Sequence, residues 1–180
     1  MDFEEKKISS EHIFKGRVVD LYVDEVLLPD GTRSKREYIR HSGGAAVLFI
    51  KDGKAALVRQ FRYAYGEETY EIPAGKLNQG EDPEEAALRE LTEETGYRAE
   101  NCSHLIDIYP TPGYTDEVIH IYLATEGRFV GEHLDEGEFL NCSYISLGEL
   151  EGMIDRGEIK DAKTVAAYYS YIIKRNKGLN

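Results

Sequence analysis

The most informative segment of the chain spans residues 75–97 and reads GKLNQGEDPEEAALRELTEETGY. Within it, Asp82 is a favourable N-cap residue, and Pro83 suits the first position of a helix. Gly96 can end a helix because glycine readily adopts the left-handed conformation. The segment therefore predicts a loop followed by a helix with well-marked bounds, over 82–95.

Three glutamates fall on one side of this predicted helix. At about 100° per residue, Glu90, Glu93 and Glu94 lie within roughly a third of the circumference, whereas Leu88 and Leu91 lie on another side. Solvated like charges at these spacings repel by roughly 0.2–0.5 kcal/mol per pair. A hard cation with oxygen ligands, Mg²⁺ above all, would convert this repulsion into binding.

The surroundings of these glutamates favour a cation site over an ordinary charged surface. The alternative is an exposed, salt-bridged helix, in which Arg89 offsets part of the repulsion because it lies four residues before Glu93. However, the run EIPAG at 71–75 indicates a strand end and a glycine loop, where backbone carbonyls can turn toward a cation. A loop, a capped helix and clustered carboxylates together indicate a binding site.

The composition describes an acidic protein of moderate size. The chain has 180 residues, with 22 lysines and arginines against 34 aspartates and glutamates, and a formal charge of −12. This length suits one ordinary domain with a small appendage, and the acidity argues against binding of nucleic acid by charge. Residues 67–100 contain 3 basic and 11 acidic side chains, so the most acidic region is that of the predicted cation site.

The sequence also bears on the compartment. Neither the first ten residues nor any later stretch has the apolar run of a signal peptide or of a membrane-spanning helix, so we expect a cytoplasmic protein without a membrane partner. Cys102 and Cys142 are far apart and lack a CxxC partner or a histidine cluster. This spacing favours free thiols over a disulfide or a zinc site.

The N-terminal part predicts a small antiparallel unit. Residues 17–28 alternate as a strand does, Pro29-Asp30-Gly31 forms a turn, and residues 33–40 return. A lone hairpin is marginally stable in water, so we expect it to pack on the rest of the chain or on a second subunit. We place this N-terminal β-hairpin domain at 1–41 and the main domain at 42–180.

The main domain mixes strands with helices, which predicts a layered α/β fold. A continuous apolar run at 44–50 indicates the start of a buried sheet. The other expected strands are 55–60, 104–109, 118–124 and 139–145. The other expected helices are 147–156 and 164–174; the second is apolar around most of its circumference, which favours packing over ligand binding.

Residues 75–97 resemble the signature of the Nudix hydrolase family, Gly-x5-Glu-x7-Arg-Glu-U-x-Glu-Glu-x-Gly-U, in which U is an apolar residue. The matching positions are Gly75, Glu81, Arg89, Glu90, Leu91, Glu93, Glu94 and Gly96, and Tyr97 departs mildly at the last one. The resemblance implies metal-dependent hydrolysis of a nucleoside diphosphate linked to a further moiety. It also implies a Nudix-type α/β/α sandwich with a mixed sheet, preceded by a small N-terminal antiparallel β-domain.

Three further segments resemble the ADP-ribose pyrophosphatase subgroup of this family. They are the Thr-Pro-Gly run ending at Gly113, the acidic run LDEGEF at 134–139, and the Gln-x-Arg-Tyr piece at 60–63 followed by Glu-x-Pro-Ala-Gly. A rigid turn, an ordinary acidic loop and surface charges are the alternatives for these three segments.

The resemblance assigns roles to individual residues. It implies that Glu136 is the general base and that Glu93 is both a catalytic residue and a metal ligand. It implies that Mg²⁺, or alternatively Mn²⁺, is held by Ala74, Glu90, Glu93, Glu94 and Glu138. It assigns substrate binding to Arg36, Arg62 and Glu117, and it implies a homodimer in which the N-terminal β-domains exchange contacts.

The expected reaction is the hydrolysis of ADP-ribose to AMP and ribose 5-phosphate. Another nucleotide sugar such as GDP-mannose, or NADH, is the alternative within the family. A sensor that binds a nucleotide without cleaving it is an alternative from another class, although it would not need a set of mutually repelling carboxylates. An interaction protein with an acidic helix is the simplest alternative.

Overall fold

The computed structural model describes residues 3–131, 133, 134, 137 and 139–178. The chain folds into two units, each with its own internal packing. The first unit comprises Met1–Gly43 and Tyr109–Glu117, and the second comprises Gly44–Ile108 and Val118–Asn180. The proposed domain limits of 1–41 and 42–180 stay a prediction.

The first unit is built on a three-stranded antiparallel sheet in the order β1-β2-β3. Its strands are β1 (Lys6–Lys15), β2 (Asp20–Leu27) and β3 (Arg33–Arg40). The predicted hairpin is confirmed as β2 and β3, whereas β1 is an additional strand. All ten residues of β1 are exposed, so its sequence lacks the alternation between apolar and polar residues that marks a half-buried strand.

The second unit contains a seven-stranded mixed sheet, which confirms the expected fold class. Its order is β12-β5-β4-β10-β9, with β6 paired to β5 and β7 paired to β4. β4 and β10 are parallel, and the other pairs are antiparallel. The strands are β4 (Gly44–Lys51), β5 (Lys54–Arg62), β6 (Glu67–Glu71), β7 (Ala74–Lys76), β9 (Ser103–Ile108), β10 (Ile119–Ala124) and β12 (Leu140–Ser146). A separate two-stranded ribbon is formed by β8 (Tyr97–Arg98) and β11 (Arg128–Phe129).

Helices cover both faces of this sheet. They are α1 (Pro83–Thr95), α2 (Leu147–Asp155) and α3 (Ala162–Asn176), at the three predicted places. Alternate residues of β4 point to opposite faces, as a strand requires: Leu48 packs with α2 and α3, whereas Val47 and Phe49 pack with α1. The continuous apolar run at 44–50 is therefore explained by burial on both faces.

Two further features concern the cysteines and the lengths of the helices. Cys102 and Cys142 are both free and partly buried. Burial raises the pKa of the Cys102 thiol to about 12. Among the described residues, none of the helices combines the length and the apolar character needed to cross a membrane.

Candidate active site

The local sequence sets the bounds of α1 as predicted. The Asp82 side chain accepts a hydrogen bond from the Glu84 N–H at 2.9 Å, which caps the first turn, and Pro83 occupies the first helical position. At the other end, Gly96 has φ 72° and its N–H donates to the Thr92 carbonyl. The acidic residues of the signature are thus held on a helix with both ends fixed.

The buried side of α1 carries carboxylates as well as apolar residues. Leu91 is fully buried, and Glu90 and Glu94 are only 8% and 3% exposed. The side chain of Glu93 is 26% exposed. The expected separation of glutamates from leucines therefore holds only in part, because Leu91 shares the buried side with Glu90 and Glu94.

A missing side chain at position 75 makes room for one of these carboxylates. A Cβ built on Gly75 would lie 1.8 Å from Glu90 Oε1, far inside any van der Waals contact. The adjacent residue, Ala74, donates its N–H to Glu94 Oε2 at 3.0 Å. Glu90 and Glu94 are therefore both packed against the backbone of β7.

Arg89 forms hydrogen bonds with a larger number of acidic side chains than the sequence predicted. It donates through Nε to Glu81 at 2.8 Å, and through Nη1 to Glu90 at 2.6 Å and to Glu93 at 2.8 Å. We call Arg89, Glu81, Glu90 and Glu93 the helix cluster. Hydrogen bonds to Glu81 above all raise the pKa of the Arg89 guanidinium, and Arg89 lowers the pKa of Glu81. A single cation faces three carboxylates, so the helix cluster retains an excess of negative charge.

The donor set of α1 fits a hard divalent cation. Glu90, Glu93 and Glu94 supply only oxygen ligands, and two of these carboxylates are buried where an uncompensated charge is unfavourable. In the arrangement seen here, no three His, Cys, Asp or Glu side chains within the described part of the chain are placed to hold a metal ion. In this arrangement, Glu90 and Glu93 bond to Arg89, and Glu94 bonds to the Ala74 N–H. The predicted ligand set stays a prediction.

Arg62, predicted to hold a phosphate, lies in a second ionic cluster. It donates through Nε and Nη2 to the two carboxylate oxygens of Glu71, at 2.6 Å each. Its side chain is 42% exposed. The hydrogen bonds to Glu71 are the largest cause of its raised pKa, and Glu94 also contributes. Arg62 is therefore fixed by Glu71 within electrostatic reach of the signature helix.

Glu71 is a residue whose role the sequence did not reveal. It is 3% exposed, and it also accepts hydrogen bonds from Lys163 Nζ and, at 2.6 Å, from Thr69 Oγ1. Burial raises the pKa of Glu71, but the bonds from Arg62 and Lys163 outweigh burial and hold the pKa at about 2. Asp161, the N-cap of α3, accepts from Lys163 at 3.0 Å. We call Arg62, Glu71, Asp161 and Lys163 the strand-end cluster.

A sequence signal for the strand-end cluster exists but is weak. Glu71 is the last residue of β6, directly before the buried Ile72. Lys163 lies among apolar residues near the start of α3 and is 7% exposed. A charge placed inside an apolar stretch suggests a buried partner, although it does not say which one.

The other two predicted substrate-binding residues lie in the first unit. Arg36, on β3, donates through Nε to Glu5 at 2.8 Å. Glu117 lies 3.5 Å from His41 Nδ1, and its neighbour Asp116 accepts a hydrogen bond from the His41 N–H at 2.8 Å. The signature lies in the second unit, which is described separately, so both assignments stay predictions.

The predicted base and the fifth predicted metal ligand, Glu136 and Glu138, lie outside the described residues. The chain just before them is attached to α1, because the His133 N–H donates to the Glu93 carbonyl at 3.1 Å. Their roles stay predictions.

Comparisons with known proteins agree with the signature. The chain matches the family model of the NUDIX domain over residues 40–168 and that of the nucleoside diphosphate sugar hydrolase N-terminal domain over residues 5–39. It is 46% identical over 167 residues to the ADP-ribose pyrophosphatase of Bacillus subtilis (strain 168), covering 91% of this chain and 90% of that protein. It is 48% identical over 169 residues to the methanol dehydrogenase activator of Bacillus methanolicus, covering 92% and 91%.

A solved structure shares the architecture. The crystal structure of an ADP compounds hydrolase superposes with a TM-score of 0.85 and covers 100% of both chains, at 21% sequence identity. That likeness concerns the fold, whereas the NUDIX model spans most of the sequence, including the complete signature at 75–97. The chain therefore belongs to the Nudix hydrolase family, in the subgroup that resembles the ADP-ribose pyrophosphatases.

Proposed function

We propose that this Nudix hydrolase cleaves the pyrophosphate bond of ADP-ribose to give AMP and ribose 5-phosphate. The observation that carries the proposal is the pair of buried carboxylates, Glu90 and Glu94, packed against the backbone at Gly75 and Ala74. The sequence likeness to an ADP-ribose pyrophosphatase over 91% of the chain supports this choice of substrate.

The proposal includes a divalent cation, Mg²⁺ or alternatively Mn²⁺. Glu90, Glu93 and Glu94, the Ala74 carbonyl and Glu138 would hold it. When bound, such ions polarise phosphoryl oxygens and lower the pKa of a bound water. The excess of carboxylates over cations in the helix cluster supports the presence of a positively charged ligand.

The protein's own residues would bind the substrate and move the proton. We assign Glu136 as the base that accepts the proton of the attacking water, which is typically worth ~10²–10⁴ in rate. Arg62 would bind phosphate oxygens, since a guanidinium matches them with two parallel hydrogen bonds and Glu71 already fixes its orientation. Arg36 is a second candidate for the phosphate contact, and Glu117 is assigned to the nucleoside side of the substrate.

A homodimer and a cytoplasmic location are further parts of the proposal. Exposed apolar side chains on β1, namely Ile8, Ile13 and Phe14 at 44%, 48% and 57% exposure, support contact with a second copy. The free thiols of Cys102 and Cys142 support a reducing compartment. Sedimentation equilibrium of the full chain tests the dimer, and a monomer at micromolar concentration would contradict it.

One assay tests the activity and its alternatives. Release of nucleoside monophosphate is measured from ADP-ribose, NADH, GDP-mannose and ADP-glucose, each with Mg²⁺ and with EDTA. We expect the highest kcat/KM for ADP-ribose and no turnover in EDTA. A higher kcat/KM for GDP-mannose or NADH would show that the preferred substrate is another one of those used within the family. Inactivity on all four, together with saturable nucleotide binding, would instead support a sensor.

A further inference from the structure

Basic side chains are scarce in the acidic middle of the chain. Residues 77–155 contain no lysine and only three arginines, Arg89, Arg98 and Arg128. Folding brings the three to one flank of α1. Arg89 and Arg98 line the same cavity beside the helix, and Arg128 stands directly opposite Arg98 in the two-stranded ribbon. Arg89 bonds to three carboxylates of the helix cluster, which accounts for its position. That cluster does not account for the positions of Arg98 and Arg128.

Arg98 and Arg128 form an unfavourable pair by themselves. They are register partners on antiparallel strands, so their side chains project from the same face of the ribbon. Their neighbours, Tyr97 and Phe129, are the next register pair and contact each other edge to face at 5.4 Å. Like charges directly opposite each other destabilise a sheet. Within the part of the chain that the structure describes, neither arginine has an ion pair or a side-chain hydrogen bond, and both are exposed.

The cavity beside this pair has the size and lining of a small-molecule site. Its volume is about 380 Å³, within the usual range of roughly 300–1,000 Å³ for ligand pockets. Leu88, Thr92 and Ala99 provide uncharged walls, and Arg89, Arg98 and His133 provide hydrogen-bond donors. Glu93, which bonds to Arg89, adds a carboxylate to the lining. An apolar wall next to a guanidinium suits a compact organic anion rather than a bare ion.

We propose that a small phosphate monoester binds at the Arg98 side of this cavity, held by Arg98, which lines the cavity, and by Arg128, its register partner on the ribbon. Two guanidinium groups on one face match a dianionic group with three acceptor oxygens, and binding would convert their mutual repulsion into attraction. The site needs no metal ion, which distinguishes it from the carboxylates of α1. Both products of the proposed reaction are phosphate monoesters. Their identification as natural ligands rests on the proposed function, whereas the binding itself does not.

Calorimetric titration with ribose 5-phosphate in EDTA tests this site. Without a divalent cation, no metal ion can bridge phosphate to the glutamates of α1, including Glu93 in the cavity wall. Binding in EDTA therefore depends on basic side chains, and the arginine variants identify which of them contribute. We expect saturable binding that becomes weaker by about tenfold in Arg98→Gln and in Arg128→Gln, since a charged hydrogen bond is worth roughly 1.5–3 kcal/mol. The double variant should show no binding. Arg33→Gln, which removes an exposed arginine of β3, is the matched control and should bind as the unmodified chain does.

Two further measurements separate this site from folding and from catalysis. The ligand-free arginine variants should unfold thermally at the same or a higher temperature, because the substitution removes a repulsion. Glu94→Gln should keep full affinity for ribose 5-phosphate in EDTA even if it abolishes hydrolysis. The proposal is overturned if the unmodified chain does not bind ribose 5-phosphate, if uncharged ribose binds equally well, or if the double variant retains affinity.

Discussion

The strand-end cluster and the helix cluster both combine basic with acidic side chains, but the ratio of bases to acids differs between them. In the first, Arg62 and Lys163 meet the carboxylates of Glu71 and Asp161, so the charges balance. In the second, Arg89 bonds to three carboxylates, so the residues that define this cluster carry more negative than positive charge. A buried carboxylate is tolerated when it is paired, and a group of carboxylates left in excess requires a further cation. The balanced cluster therefore stabilises the fold, and the unbalanced one is suited to binding.

The largest effect expected from this comparison is on activity. Glu94→Gln removes one negative charge from the signature helix while keeping the shape of the side chain. We expect kcat/KM for ADP-ribose to fall on the order of 10³-fold or more, because a metal ion stabilises the transition state by several kcal/mol. Glu85→Gln, which removes an exposed acid of the same helix, is the matched control and should keep its activity. Nearly normal turnover of Glu94→Gln in Mg²⁺ would show that α1 does not hold the metal.

A second test moves one carboxylate of the helix cluster without removing it. In Gly75→Ala, the added Cβ would overlap Glu90 Oε1 at 1.8 Å, so the carboxylate must shift. We expect a loss of about 10²-fold in kcat, since a displacement near 1 Å at a reacting centre can have that effect. Gly80→Ala, between β7 and α1, is the control for adding a methyl group to a nearby glycine, because a Cβ there meets no atom within 4 Å, although its φ of 76° adds backbone strain. Equal activity of the two variants would contradict a steric role for Gly75.

The balanced cluster should respond through stability. Glu71→Gln leaves Arg62 and Lys163 without their shared carboxylate. Breaking a buried ion pair costs roughly 3–5 kcal/mol, and we expect about 3 kcal/mol because Arg62 is partly exposed and Lys163 keeps Asp161. At about 2–4 °C per kcal/mol for a chain of this size, Tm should fall by roughly 6–12 °C. The matched control is Glu67→Gln, whose exposed pair with Lys160 should contribute less than about 1 kcal/mol. Equal Tm values for the two variants would contradict a stabilising role of the cluster.

The smallest expected effect is a dependence of stability on pH. The pKa of Glu71 is about 2 in the folded chain, against 4.5 for an ordinary glutamate. A lowered pKa stabilises the folded state fully above pH 4.5, and this contribution disappears as the pH falls toward 2. We therefore expect the free energy of unfolding, measured in urea, to decline more steeply between these pH values for the unmodified chain than for Glu71→Gln. If the free energy of unfolding declined equally with pH in both chains, the result would contradict a lowered pKa of Glu71.

The parts of the molecule that sequence reasoning could predict are those with local causes. The bounds of α1 follow from Asp82, Pro83 and Gly96, which act on their immediate neighbours. The ion pair between Arg89 and Glu93 follows from the helical repeat. The bond from Arg89 to Glu81 was not predicted, because it depends on how the loop before the helix folds back.

The parts that could not be predicted depend on distant partners. Lys163 reaches Glu71 across 92 residues, and nothing in either local sequence identifies the other. Strand β1 is held by backbone pairing with β2, and none of its residues is buried, so its side chains carry no periodic signal. The role of Arg62 in phosphate binding stays a prediction, and its attachment to Glu71 became visible only once β5 and β6 were paired.

The contact between Gly75 and Glu90 also limits how this chain can evolve. The two positions are 15 apart in sequence, and a Cβ at position 75 would overlap the end of the Glu90 side chain. A side chain at position 75 therefore requires either a displaced carboxylate or a shorter side chain at position 90. Their substitutions are therefore expected to be epistatic: in a double-mutant cycle, Gly75→Ala should cost less stability in a Glu90→Ala background than alone. A first step of Glu90→Ala would remove the overlap with a side chain at position 75, but it would also remove a proposed metal ligand.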